Sequence, residues 1–169
     1  MALARERIAD VFRFAAEGGV LEGETPVADF NRLADWLAER VDAVRWRLAG
    51  RLDAEGGPRL DLGVAGRLVL RCQRCLEGMA WDLALDAVLQ PVRAGQVLPR
   101  DELENDEFDV IEVDGDVDVL SLLEDEIILA LPIAPRHEDC GVSRRAETDG
   151  GARGESPFGV LAGLRGGGR

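Results

Sequence analysis

Residues 59–90 read RLDLGVAGRLVLRCQRCLEGMAWDLALDAVLQ, and this stretch decides the fold. Leu60, Leu62, Val64, Leu68, Leu70 and Cys72 share one parity, with Arg59, Asp61, Arg67 and Arg71 on the other. Beyond Cys72-Gln73-Arg74-Cys75 the alternation resumes. Met79, Trp81, Leu83, Leu85, Ala87 and Leu89 stand against Ala80, Asp82, Ala84 and Asp86. Successive strand side chains point to opposite faces, so each run predicts a strand with one packed and one solvated face. Two such runs joined by a short turn predict an antiparallel hairpin, with the Cys-x-x-Cys pair at its bend.

Before the hairpin, Val44, Trp46 and Leu48 alternate with Arg45 and Arg47, and Gly56-Gly57-Pro58 marks a turn. Further upstream the period is helical. Ile8, Val11 and Phe12 suggest a short helix over 5–16 that ends at Gly18-Gly19. Thr25-Pro26 then reads as the N-cap and first residue of a second helix, with Phe30, Leu33 and Leu37 on its apolar face. After the hairpin, Pro91 ends the third strand or places it at a sheet edge. Phe108 to Val113 adds a short strand. Asp116 or Asp118 caps a helix through Leu131 that covers the sheet, and Pro132 stops it. Glu124, Asp125 and Glu126 interrupt its apolar run, so at least two of them should face solvent.

The predicted fold class is α+β: an antiparallel sheet around a central hairpin, packed by helices. A single domain is expected over 1–140, with a helical part at 1–40, antiparallel strands at 41–92, an acidic connector at 93–118 and a helix at 119–131. Residues 141–169, rich in Gly, Arg and Glu, read as a flexible tail with a short terminal motif.

Charge is unevenly spread along the 169 residues. The net charge is −13, and 13 of the 33 acidic residues lie between Asp101 and Glu126, where there is no basic residue. The other 20 acids balance the 20 bases, so this one segment carries the imbalance. It is either a solvated acidic loop or a docking surface for a basic partner, with Glu124, Asp125 and Glu126 as candidate contacts. No run approaches the roughly 18 apolar residues of a membrane helix, and the N-terminus lacks the apolar stretch of a signal peptide. With three cysteines and no such signal, a disulfide framework is not expected, and the cytoplasm is the expected location.

Cys72 and Cys75 could present two thiolates to one zinc ion, whose remaining ligands would be His137 and Cys140, the single histidine and the third cysteine. The competing reading makes Cys72 a buried small hydrophobe and Cys75 a turn residue. A thioredoxin-like redox pair is the enzymatic alternative, but such pairs sit where a strand meets a helix N-terminus, and here an alternating strand follows. Arg45, Arg47, Arg67, Arg71 and Arg74 fall on the polar side of the sheet or in its turn. They could meet an RNA backbone, or form a solvated face paired with Asp42, Asp61, Asp82 and Asp86. No stacking aromatics accompany them.

Several of these motifs occur in a recognisable order. Cys72-Gln73-Arg74-Cys75-Leu76 is followed by Leu123-Glu124-Asp125-Glu126-Ile127-Ile128-Leu129-Ala130-Leu131-Pro132, then by His137 and Cys140, and finally by Pro157-Phe158-Gly159-Val160-Leu161-Ala162-Gly163-Leu164. Over about 40–164 the chain resembles the bacterial YceD family, the large ribosomal RNA subunit accumulation proteins. The resemblance implies a role in the synthesis, processing or stability of 23S rRNA, with no catalytic residue to carry over. The expected protein is a non-enzymatic factor that binds 23S rRNA or its precursor, or a basic large-subunit ribosomal or processing protein. A small thiol-redox or zinc-binding protein is the alternative.

Overall fold

A computed structural model describes residues 6–96 and 107–140. The expected flexible tail and terminal motif at 141–169 lie outside the described residues. Residues 1–138 form one compact unit, and of the second, Asp139–Arg169, Asp139 and Cys140 are described.

The fold is α+β with a mostly antiparallel sheet. The elements are β1 (Arg7–Ile8), α1 (Val11–Ala16), β2 (Val20–Pro26), β3 (Leu37–Glu39), β4 (Ala43–Leu52), β5 (Pro58–Arg71), β6 (Gly78–Arg93), β7 (Asp109–Val113), β8 (Val117–Asp118) and α2 (Val119–Ala130). The main sheet runs β2-β4-β5-β6-β7, with β3 also pairing β5, and β1 pairs separately with β8. β5 and β6 are antiparallel from Leu60↔Leu89 to Arg71↔Gly78. Leu60, Leu62, Val64, Leu68, Leu70 and Cys72 are all buried, as their shared parity demands.

β7 departs from the antiparallel expectation, because it pairs parallel to β6 from Leu89↔Asp109 to Arg93↔Val113. This explains how β6 tolerates Pro91. The proline lies beyond the last β5 pair, where β6 keeps one neighbour, so no partner is deprived of a donor there. β7 and β8 also give structure to part of the stretch 93–118 that reads as a connector.

The N-terminal 40 residues are not the helical part that their spacing suggests. α1 covers only Val11–Ala16, capped by Asp10, whose Oδ1 accepts the Phe12 and Arg13 N–H groups at 3.0 Å each. The expected second helix is replaced by β2 and two 3₁₀ turns, Val27–Asp29 and Arg32–Asp35. Thr25-Pro26 fits the end of an edge strand as well as a helix start. Thr25 here accepts the Trp46 indole N–H at 2.9 Å instead of capping a helix. The apolar residues of the supposed helix still reach the core: Phe30, Leu33 and Leu37 are buried against the sheet. α1 rests on β4 at Gly50, where a Cβ would come within 2.7 Å of the Ala15 Cα.

α2 covers the same apolar sheet face with Val119, Leu123 and Ile127. Asp118 caps it, accepting the Ser121 N–H at 3.1 Å. Its Glu124 is buried and caps another element. Oε1 accepts the backbone N–H groups of Arg32 (2.5 Å) and Leu33 (3.2 Å), and Oε2 accepts Arg32 Nε at 2.9 Å. Arg32 also donates to the Ser121 carbonyl at 2.9 Å and pairs with Asp125. The carboxylate thus satisfies donors that the 3₁₀ turn cannot. Among the described residues no helix is long and apolar enough to cross a membrane.

Replacing Glu124 by Ala strands two backbone donors and a guanidinium. Urea denaturation should show a loss of about 3 kcal/mol, with the isosteric Glu124→Gln losing clearly less.

Candidate functional site

The bend between β5 and β6 is tightly closed. The Cys72 N–H donates to the Glu77 carbonyl, and the Leu76 N–H to the Cys72 carbonyl, each at 2.9 Å. Leu76 adopts φ 65°, a left-handed conformation that costs a leucine about 1–2 kcal/mol. Neighbouring segments pin the bend from outside. The Arg71 N–H donates to the Trp36 carbonyl and the Gln73 N–H to the Pro135 carbonyl, both at 2.8 Å. Pro132 and Pro135 restrict the chain after α2 and lead it past this bend.

That path brings His137 alongside the thiols. Cys75 Sγ lies 3.4 Å from His137 Nδ1, and His137 Nε2 lies 3.1 Å from the Gly78 carbonyl. A carbonyl only accepts, so Nε2 carries the hydrogen and Nδ1 turns its lone pair toward Cys75. A ring nitrogen anchored on a backbone carbonyl while the other faces the ligand cluster is the arrangement seen in metal-binding histidines. The Arg74 N–H donates to Cys72 Sγ at 3.5 Å, orienting a second sulfur.

The ligand atoms of Cys72, Cys75, His137 and Cys140 all lie within 4.8 Å of one another. A tetrahedral ion with Zn–S near 2.3 Å and Zn–N near 2.0–2.1 Å implies ligand–ligand edges of about 3.5–3.8 Å. The group is therefore within about an ångström of such a site, and it can bind a metal ion. Cys72 and Cys140 are buried; Cys75 and His137 are partly exposed. All four residues singled out from spacing are brought together. What spacing does not show is the anchoring by Gly78, Pro135 and the left-handed Leu76. The pair sits between two strands and not at a helix N-terminus, the setting of redox-active Cys-x-x-Cys pairs.

Arg45, Arg47, Arg67 and Arg71 project from the sheet face opposite the core, and Arg74 is exposed in the bend. Acids share that face. Across β2–β4, Glu22 stands opposite Arg47 and Glu24 opposite Arg45. Arg47 approaches Glu22 at 3.9 Å, Arg67 pairs with Asp82 at 3.0 Å, and Arg51 with Asp61 at 2.7 Å. Arg59 is mostly covered, pairing with Asp53 at 2.9 Å and lying 4.1 Å over the Phe108 ring.

In the acidic run of α2 only Asp125 is exposed. Glu124 and Glu126 are both buried, so the expectation that at least two of the three face solvent does not hold. Glu124 is drawn inward by the 3₁₀ turn. Glu126 is held above the usual carboxylate range, first by burial and then by the charges of Asp109 and Asp125. An open depression of about 390 Å³ lies between β7–β8 and α2, with Glu112, Asp116, Asp118 and Asp125 on its walls.

Fold and site together define an α+β domain that gathers cysteines and a histidine at the bend of its sheet. The chain belongs to the YceD family, whose model, described as large ribosomal RNA subunit accumulation protein YceD, matches residues 60–165. A relative from Haemophilus influenzae, named large ribosomal RNA subunit accumulation protein YceD, is 35% identical over 108 residues, which cover 57% of this chain and 59% of the relative. The chain thus aligns with less than two thirds of that relative's length. No solved structure matches it.

Raising the pH from the ordinary glutamate range through the elevated Glu126 pKa forces a charge into a buried position. The stability present with Glu126 protonated is lost over that window. Glu126→Gln should therefore raise the urea midpoint at pH 7 relative to the unaltered chain, with the gain shrinking as the pH approaches 4.5. A gain independent of pH would contradict this origin.

Proposed function

We propose that this chain supports the accumulation of large-subunit (23S) ribosomal RNA, acting in the cytoplasm as a binding factor and not as a catalyst. The supporting observation is membership of a family whose model, like its curated relative, is named for that role. Its immediate partner, on this reading, is a basic large-subunit ribosomal or processing protein. The net charge of −13 favours such a partner over naked RNA. Acids interleave the exposed arginines of the sheet, and the depression beside α2 is walled by carboxylates. Asp125 is the residue of the α2 acidic run open to contact.

Zinc is the metal that the Cys72, Cys75, His137 and Cys140 donors suit best, because thiolates gathered with an imidazole within 4.8 Å favour it. Its role would be structural: it would tie the β5–β6 bend to the segment after α2 and offset the strain at Leu76.

Cells lacking the protein should show a fall in 23S relative to 16S rRNA, and in-cell crosslinking should recover basic proteins from this chain. Crosslinks to 23S rRNA mapping to Arg45, Arg47, Arg67, Arg71 or Arg74 would transfer the reading to direct RNA binding, with a steep salt dependence. An unchanged ratio would remove the proposed role.

Elemental analysis of protein prepared without chelators should find about one zinc per chain, lost in Cys72→Ser. Less than about a tenth of an equivalent would exclude zinc, and a reversible Cys72–Cys75 disulfide in its place would favour the thiol-redox reading.

A further inference from the structure

A second cavity, of about 210 Å³, lies where β2 meets the first turns of α2. Its walls include Trp46, Leu120 and Leu123, and the indole is held by the 2.9 Å bond from Trp46 Nε1 to Thr25 Oγ1. Gly23 keeps the cavity open, because a Cβ there would come within 2.9 Å of the indole ring. Glu6 and Asp29 are the acids of the lining outside β2; Glu22 and Glu24 border it from β2, whose register sets their side chains opposite Arg47 and Arg45 on the outer face, and no basic residue lines the cavity. Glu6 and Asp29 are exposed. β2 is the outermost strand on this side of the main sheet, so its outward edge has no strand neighbour among the described residues.

We infer that this cavity receives an arginine or lysine side chain from a basic, extended segment of a partner protein lying along β2. The long aliphatic stem of such a residue matches the apolar walls, and its cation meets the acidic mouth and an indole that attracts positive charge. An open strand edge offers backbone groups that an extended peptide can pair with, while a side-chain pocket supplies selectivity. Complementarity disfavours an anionic occupant such as RNA, whose phosphates would meet Glu6 and Asp29 with no basic residue in the lining. The cavity and the acidic depression both use the first half of α2: Val119, Leu120 and Leu123 line one, and Ser121, Leu122 and Asp125 the other. The inference rests on the protein-partner reading above and adds where, and by what side chain, the partner is gripped.

The test uses the full chain and a fluorescein-labelled nine-residue peptide of alternating arginine and valine, followed by fluorescence anisotropy at physiological salt. The unaltered chain should bind saturably. Glu6→Gln with Asp29→Asn should weaken binding about tenfold. Glu55→Gln with Asp86→Asn, which removes the same charge from the β4–β5 turn and the outer sheet face, should change it by less than about twofold. Equal weakening by the two pairs would reduce the effect to net charge and overturn the inference, as would no saturable binding. Either result alongside an intact dependence of 23S rRNA on the protein would overturn this inference alone, leaving the proposed role in place.

Discussion

Burial of one face of β5 is the constraint on which the rest of the molecule depends. Leu60, Leu62, Val64, Leu68 and Leu70 are all at or below 2% exposure, and the strand is hydrogen-bonded along both edges. A slip of one residue would turn this whole row to solvent and bring Arg67 and Arg71 inside, so the register with β4 and β6 is strongly specified. The position of the thiols follows. Cys72 continues the buried row, one step past the last paired residue, and Cys75 stands three residues later in the bend. The same alternation sends Arg45, Arg47, Arg67 and Arg71 to the outer face, where acids of β2 and β6 meet them.

The opposite layer is assembled around a polar contact. Apolar burial alone would leave the 3₁₀ turn at Arg32–Asp35 with unsatisfied donors, and α2 supplies the acceptor through Glu124. One carboxylate therefore joins two elements that the sheet does not connect. Its neighbours have different environments: Asp125 faces solvent beside Arg32, and Glu126 is buried with the negative charges of Asp109 and Asp125 nearby. Three consecutive acids thus serve three distinct physical roles, which a count of charges along the segment cannot resolve.

Legibility followed the strength of the local signal. Period-two alternation over 59–90 is long and clean, and the helix from Val119 carries both a cap and a proline stop; both are readable from residues alone. Over 20–40 the apolar residues were identifiable but their conformation was not. Phe30, Leu33 and Leu37 sit at helical spacing, yet the pairing of β2 with β4 overrides that preference, and a Thr-Pro step suits either outcome. The parallel placement of β7 has no signature in its five residues, because direction is decided by the partner strand. The metal-type cluster was legible as residue types and spacing. The Gly78 carbonyl that sets the histidine tautomer is a backbone group, and backbone groups leave no mark in a sequence.

The reach of the Glu124 contact bears on how the chain acquires its structure. Arg32 and Glu124 are 92 residues apart, and Ile8 pairs with Val117 across a similar span. During synthesis from the N-terminus, the 3₁₀ turn and β1 must wait for the α2 region to leave the ribosome before their partners exist. The central strands can pair earlier through short connections, whereas the N-terminal layer closes late and against a large loop entropy. Until then Phe30 and Leu33 have no helix to cover them, so the nascent chain passes through an interval in which these apolar side chains are open to chaperones and proteases.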